Sequence, residues 1–393
     1  MAKMNKVRMG MVGGGEGAFI GAVHRHALAL DGQIELVCGA FSRNSENNQR
    51  TADTLGIDED RVYSSWQALL EGERALPEAA RMQAVIIVTP NHLHVPISIA
   101  AIDAGFHVFC EKPAAMSLHE ALTLKSKLKD KGTLYGLAHT YLGYPMVWQA
   151  QHMVISGALG NIRKVFVEYP QGWLSADEES HNKQASWRTD PAQSGGSGCM
   201  GDIGTHAFGL LEFVLQQQVT SLCADMQTHV DGRRLDDDGA ALIRTDGGTS
   251  GVLIASQVCA GEENALKIRV YGDKGAIEWQ QMEPNSVIYR PLGEPYCVLR
   301  AGMGQSGLCD EASARCRTPA GHPEGYLEAM ANLYGCFVKA VRETQLNNQT
   351  IGNLGKAAGV PGIDSGLRGM AFIEAMLASS RSETKWHTVA GNH

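Results

Sequence analysis

The sequence predicts an α/β protein of two domains. A parallel-sheet α/β domain is expected over residues 1–145, and an α+β domain with a large, open, mainly antiparallel sheet over 146–393. Three observations carry this. Up to about residue 140, short apolar runs alternate with helical patterns, the rhythm of βαβ units. A glycine-rich turn, "VGGGEGAFIG", directly follows the first apolar run. Beyond about residue 155, long strand-like stretches separated by Gly and Asp turns replace that rhythm. The length of 393 residues also exceeds the size at which single cores usually stop growing.

In order, "KVRMGMVG" predicts a strand, "GAVHRHALALDG" a helix stopped by glycine, "IELVCGAF" a second strand and "SENNQRTADTLG" a polar helix. "AVIIVTP" is continuously apolar, as a parallel strand covered on both faces requires. "HVPISIAAIDAG" predicts a helix ending at Gly105, "HVFCEKP" a strand, "SLHEALTLKSKLKDKG" a helix and "TLYGLAH" a further strand. The second domain offers the strands "IRKVFVEYP", "VTSLCADMQTHV", "GAALIRTDGG", "TSGVLIASQV" and "ALKIRVYGDKGAIEWQ". "GDIGTHAFGLLE" predicts a helix on which Asp202 and His206, four apart, stack on one side. Helical spacing returns near 323–343 and 367–380, and these last helices are able to return to the first domain. No internal repeat or low-complexity segment interrupts the chain.

Composition narrows the function classes. The chain is 44% hydrophobic and 19% charged, and its net charge of −8 with no Lys/Arg run argues against a nucleic-acid partner. No apolar stretch is long enough to cross a bilayer, and charges and glycines break up the apolar residues of "MAKMNKVRMGMVGGG", so neither a membrane anchor nor a secretory signal is expected. The expected location is cytoplasmic. Nine scattered cysteines without a CxxC pair fit small buried hydrophobes in a reducing compartment, not a disulfide framework or a metal site.

The glycine turn is placed to bring backbone N–H groups to a pyrophosphate at a helix N-terminus. Gly13-x-Gly15-x-x-Ala18 fits the dinucleotide fingerprint, while Gly21 offers an alternative third glycine in a longer loop. At the end of the second strand, an acid that would bind the ribose of NAD is replaced by Ser42 and Arg43, side chains suited to phosphate; this favours NADP over NAD. "VTPNHLH" and "CEKP" close two strands at the edge where open α/β sheets bind ligands. Thr89, Pro90 and Asn91 are therefore expected beside the nicotinamide, and Lys112 in a site instead of on a plain surface. Taken alone, Asp202 and His206 are better explained as a helix cap and a satisfied core histidine. Asp364 and Arg368, again four apart, suggest an ordinary helix ion pair.

The ordered set "GGG…IG…H", "TPN…H", "EKP" and "GDIGTH" resembles the Gfo/Idh/MocA family of nicotinamide-dependent oxidoreductases, which includes glucose–fructose oxidoreductase and inositol 2-dehydrogenase. The resemblance spans nearly the whole chain. "SWRTDPAQSGGSGCMGDIGTH", "YPQGWL", "GHPEGYLEA" and "DSGLRGMAFIEA" are most similar to the branch acting on sugars and glycosides, where oxidation at the 3-position is common. It implies an N-terminal Rossmann domain and a C-terminal sheet that joins subunits into a homodimer or homotetramer. It also implies a catalytic group of Lys112, Asp202 and His206, with His206 accepting the hydroxyl proton, Asp202 orienting ring or sugar, and Lys112 binding the substrate oxygen. Expected cofactor contacts are Gly13, Gly15, Ala18, Phe19, Ile20, Ser42, Arg43, Thr89, Pro90, Asn91, His94, Glu111 and Lys112. Tyr141, Trp173, Arg188 and His322, with Gln171, are expected toward a carbohydrate or cyclitol, although packing explains each as readily. The leading expectation is a dehydrogenase of a sugar, glycoside or cyclitol. A NAD-dependent glycosidase of the same fold is the alternative, distinguished by its lack of net cofactor turnover. A non-catalytic sensor is disfavoured because the catalytic group is complete.

Overall fold

The structure is a computed structural model that describes residues 5–129, 131–177, 182–347 and 359–391. The chain forms two compact units. The first comprises Met1–Ala115, His119–Ala138 and Met330–Gly366; the second comprises Met116–Leu118, His139–Ala329 and Leu367–His393.

The first unit is a five-stranded parallel sheet with strand order β2-β1-β3-β4-β5. Its elements follow the predicted alternation: β1 (Val7–Gly13), α1 (Phe19–Leu30), β2 (Ile34–Ala40), α2 (Ser45–Leu55), α3 (Trp66–Ala75), β3 (Ala84–Val88), α4 (His94–Asp103), β4 (His107–Cys110), α5 (Leu118–Leu128) and β5 (Tyr135–Leu137). Every residue of β3 is buried, as expected for a central strand covered on both faces. Local signals set the helix ends: the Asn44 side chain accepts the Asn47 N–H and Gly56 ends α2 in the left-handed region, while Ser65 accepts from Ala68 at the start of α3. Met9, Met11, Ile86, Phe109, Tyr334, Phe337 and Val341 share the core. The strand expected over "TLYGLAH" is only three residues long, and α3 was not legible as a helix.

In the second unit, α6 (Pro145–Ile155) leads to β6 (Ile162–Pro170). Two short helices, α7 (Lys183–Arg188) and α8 (Pro191–Ser194), precede α9 (Thr205–Leu215). Then come β7 (Val219–Gln227), β8 (Asp238–Thr245), β9 (Ser250–Ser256), β10 (Lys267–Gly272), β11 (Gly275–Gln280), β12 (Ser286–Pro291) and β13 (Cys297–Arg300), followed by α10 (Asp310–Ser313), α11 (Tyr326–Asn347), which belongs to the first unit from Met330 onward, α12 (Ile363–Arg381), which belongs to the second from Leu367 onward, and β14 (Trp386–Thr388). The nine strands form one sheet, β13-β12-β11-β10-β6-β9-β8-β7-β14, in which only the β6–β9 pair is parallel among the described pairs. Alternate residues Val165, Val167 and Tyr169, Leu253 and Ala255, and Ile268 and Val270 turn inward to a core shared with Phe208, Leu211 and Phe372. "ALKIRVYGDKGAIEWQ" is a hairpin of two strands, because the Asp273–Lys274 turn returns the chain after Gly272. No helix among the described residues is long and apolar enough to cross a membrane.

Candidate active site

In the first unit, β1 delivers the chain into the glycine turn. Gly13 and Gly14 hold positive φ of 83° and 73°. A Cβ on Gly21 would lie 2.4 Å from the Cα of Gly14, so the close helix–strand approach belongs to Gly21 and not to Ala18. Gly17, at φ 82°, faces open space. Ala18 precedes α1 in extended conformation with no side-chain cap and no acid in the first turn. The first N–H groups of α1, from Phe19 onward, are thus left to an anion. This uncapped helix start behind a turn too tight for side chains fits the pyrophosphate of a dinucleotide. At the end of β2, the Ser42 hydroxyl accepts the Asn44 N–H and Arg43 is exposed.

The strand ends next to this turn carry an interlocked set. Asn91 is buried just after β3. His94 is fully buried with Nδ1 2.7 Å from the Pro113 carbonyl and Nε2 2.9 Å from that of Thr89. Burial lowers its pKa although both carbonyls favour the charged ring, and the neutral imidazole donates to one of the two carbonyls. Glu111 was expected at the cofactor, but its carboxylate is turned inward: Oε1 lies 2.8 Å from His24 Nε2, and Oε2 accepts the Lys112 backbone N–H at 3.0 Å. Burial works against its charge, yet His24 and Lys112 hold the carboxyl below the usual range. Lys112 itself is half-buried.

In the second unit, Met200–Gly204 is a π-helical turn running into α9, with the Thr205 N–H reaching back to Met200 O. The Thr205 hydroxyl donates to Gly201 O at 3.0 Å, occupying a carbonyl of the widened turn. The Asp236 carboxylate accepts the N–H groups of Gly198 and Met200, each at 2.8 Å, and so pins the approach to the turn. The helix expected over this stretch is therefore π-helical at Asp202 and α-helical from Thr205 onward. Asp202 is no helix cap. Its Oδ2 accepts from Arg188 Nε at 3.2 Å and Gln257 Nε2 at 3.0 Å. Arg188 is itself held by Gln184 Oε1 at 2.7 Å and lies over the Trp187 ring. His206 is buried among edge-on rings, with centroids 4.8 Å from Tyr141, 5.5 Å from His139 and 6.4 Å from Tyr169.

Tyr141 is thus brought to His206. Its hydroxyl is hydrogen-bonded to that of Tyr169, which donates to Asn264 Oδ1 at 2.6 Å. Asn264 also accepts from Gln171 at 2.7 Å, and Gln171 accepts the Trp173 indole N–H at 3.0 Å. His322 is different: it is exposed and its described contact, 3.3 Å to Pro319 O, stays in its own loop. Asp364 and Arg368 do not pair as expected, since Asp364 meets Lys125 at 3.2 Å and Arg368 meets Glu212. Gln257, His139, Tyr169, Asn264, His24 and Tyr334 had no role in the sequence reading. Only a polar residue ending the apolar stretch "GVLIAS" marked Gln257.

Comparison with known proteins agrees with this architecture. The family model for an oxidoreductase family with NAD-binding Rossmann fold matches residues 7–139, and that for the GFO/IDH/MocA C-terminal domain matches 147–278. An uncharacterized oxidoreductase, YfiI, of Bacillus subtilis is 32% identical over 97% of this chain and 96% of its own. Levoglucosan dehydrogenase of Pseudarthrobacter phenanthrenivorans is 28% identical over 70% of this chain and 73% of its own. The crystal structure of an inositol dehydrogenase homolog from Azotobacter vinelandii, complexed with NAD+, superposes with a TM-score of 0.92 at 35% identity, covering 98% of this chain and 97% of that one. The chain is a dehydrogenase-type enzyme and belongs to the Gfo/Idh/MocA family of NAD-binding oxidoreductases.

Proposed function

We propose that this enzyme oxidises a ring hydroxyl carbon of a sugar, glycoside or cyclitol, with the 3-hydroxyl of a pyranose as first choice and inositol as second. The observation that carries the reading is the Asp202 carboxylate, clamped by Arg188 and Gln257 four residues before a histidine enclosed by aromatic rings. Whole-length similarity to an inositol dehydrogenase homolog supports the substrate class. The bound nicotinamide supplies the hydride acceptor. Lys112 binds the reacting oxygen and favours loss of its proton, His206 accepts that proton, and Asp202 orients the ring or a neighbouring hydroxyl. Gln171 and Trp173 offer an amide and an aromatic face to a polyhydroxylated ring.

The adenosine end takes a 2′-phosphate, because no acid follows β2 and exposed Arg43 stands beside the Ser42 hydroxyl. The deciding experiment is a screen of sugars, glycosides and inositols with NAD and with NADP, followed by the absorbance of reduced nicotinamide. Net turnover on a pyranoside or inositol is expected. Turnover confined to aliphatic alcohols or amino acids would overturn the substrate class, and aglycone release without net reduction would identify a glycosidase. Equilibrium titration should show NADP binding at least as tightly as NAD; a clear preference for NAD in the unmodified enzyme overturns the phosphate reading.

A further inference from the structure

Lys112 lies between two residues that are each anchored by a buried histidine. On its C-terminal side, the buried His94 ring lies between the carbonyls of Pro113, 2.7 Å away, and Thr89, 2.9 Å away, and its neutral form donates to one of them. On its N-terminal side, a chain of hydrogen bonds runs through the core of the first unit. Tyr334 on α11 meets His24 Nδ1 at 2.5 Å, His24 Nε2 meets Glu111 Oε1 at 2.8 Å, and Glu111 Oε2 accepts the Lys112 N–H at 3.0 Å. His24 is fully buried, with its ring edge-on to Phe109 and Tyr334. Polarity along the chain follows from the ends. An ionised Glu111 can only accept, so His24 Nε2 carries a hydrogen, and on a singly protonated ring Nδ1 is the acceptor. Burial pushes the Tyr334 phenol well up, so it keeps its proton and donates to Nδ1.

We propose that His24 and Tyr334 are positioning residues that act on the reaction through Glu111 and the Lys112 peptide. A packed aromatic core needs no buried carboxylate, and the cost of burying one is met here by a single ordered chain of donors. That chain ends on the peptide of the lysine. His24 also stands on α1, the helix that begins at the glycine turn, so the element presenting N–H groups to a dinucleotide is tied to the strand end presenting Lys112. A lysine that must place its ammonium to a fraction of an ångström gains from a backbone held on both sides. The inference rests on the reading that Lys112 binds the reacting oxygen.

The test uses Tyr334→Phe, which keeps the ring, with His24→Gln, which keeps a donor for Glu111, and Lys112→Ala alongside. In the cofactor-free protein, 15N spectra of labelled histidine should show one ring protonated at Nε2 with a hydrogen-bonded Nδ1. That Nδ1 signal should shift in Tyr334→Phe and vanish in His24→Gln. With myo-inositol or methyl α-D-glucoside, whichever the screen shows to be turned over, kcat should fall about tenfold in both variants. Cofactor Kd, substrate KM and melting temperature should stay close to the parent. A loss that instead tracks melting temperature or cofactor Kd, an Nδ1-protonated tautomer, or unchanged kcat while Lys112→Ala is inactive would overturn this inference alone. Full activity in Lys112→Ala would overturn the reading beneath it.

Discussion

Asp202 carries two donors on a single oxygen, one from a guanidinium and one from an amide. Such an arrangement is more sensitive to loss of a partner than a solvated carboxylate would be. Gln257 is 3% exposed, so Gln257→Leu replaces a buried donor by an apolar group of similar size. The expected result is a fall in kcat of about tenfold, from a loss of about 1–2 kcal/mol, with cofactor affinity unchanged. Steady-state kinetics beside a cofactor titration checks it; an unchanged kcat would show that Arg188 alone suffices. Lys112→Ala and His206→Ala should each cost at least ~100-fold in kcat while cofactor still binds. Near-normal turnover in either would remove that residue from the catalytic group.

At the scale of elements, strand ends and helix starts do the work of presentation. The π-helical turn before α9 is tolerated because its carbonyl at Gly201 finds the Thr205 hydroxyl and its preceding amides find Asp236. In the parallel sheet, His107 opens β4 and its Nδ1 accepts the Leu134 N–H at 3.0 Å, tying it to the start of β5. Burial holds this imidazole down to about 4. The unfolded chain takes up a proton below about 6.5, while the native protein refuses it until about 4. Stability should therefore be intact at neutral pH and decline as pH falls through that window, by up to about 3 kcal/mol from this group. Urea unfolding at pH 7 and pH 4.5 measures the decline, and His107→Gln, which keeps an acceptor without titrating, should reduce it. An identical pH dependence in that variant would refute the assignment.

In the second unit, one face of the broad sheet packs into the core with Phe208, Leu211 and Phe372, and described side chains on its other face stay partly exposed. Cross-strand partners run along that outer face from Arg269 through Phe166, Val252, Leu242 and Cys223 to Trp386. Leu242 is 47% exposed and Ile254 39% exposed, while Arg269 with Glu168 and Lys267 with Glu278 set charges around them. A continuous apolar row rimmed by ion pairs is the composition of a subunit interface. We expect a homodimer or homotetramer built on this face, seen by light scattering at micromolar concentration. Leu242→Glu should reduce it toward the 42.3 kDa subunit. A monomeric parent protein would refute the interface.

Sequence alone determined the periodicities and the local chemistry. The parallel sheet was legible because a doubly covered strand such as "AVIIV" admits no polar residue, and the glycine turn because positive φ beside a helix start excludes other side chains. "EKP" and "GDIGTH" drew attention to Lys112, Asp202 and His206 as ionisable residues beside apolar runs, and the family resemblance gave them their expected roles. Tertiary structure decided the partners. Gln257 reaches Asp202 across 55 residues, and Tyr334 reaches His24 across 310. The edge strands β13 and β14 are short and largely exposed, so their side chains carry little alternation to read. The Glu111 carboxylate found His24 in the core, and Asp364 and Arg368 each found a different ion, because contacts between distant segments are set by packing geometry, which no residue spacing encodes.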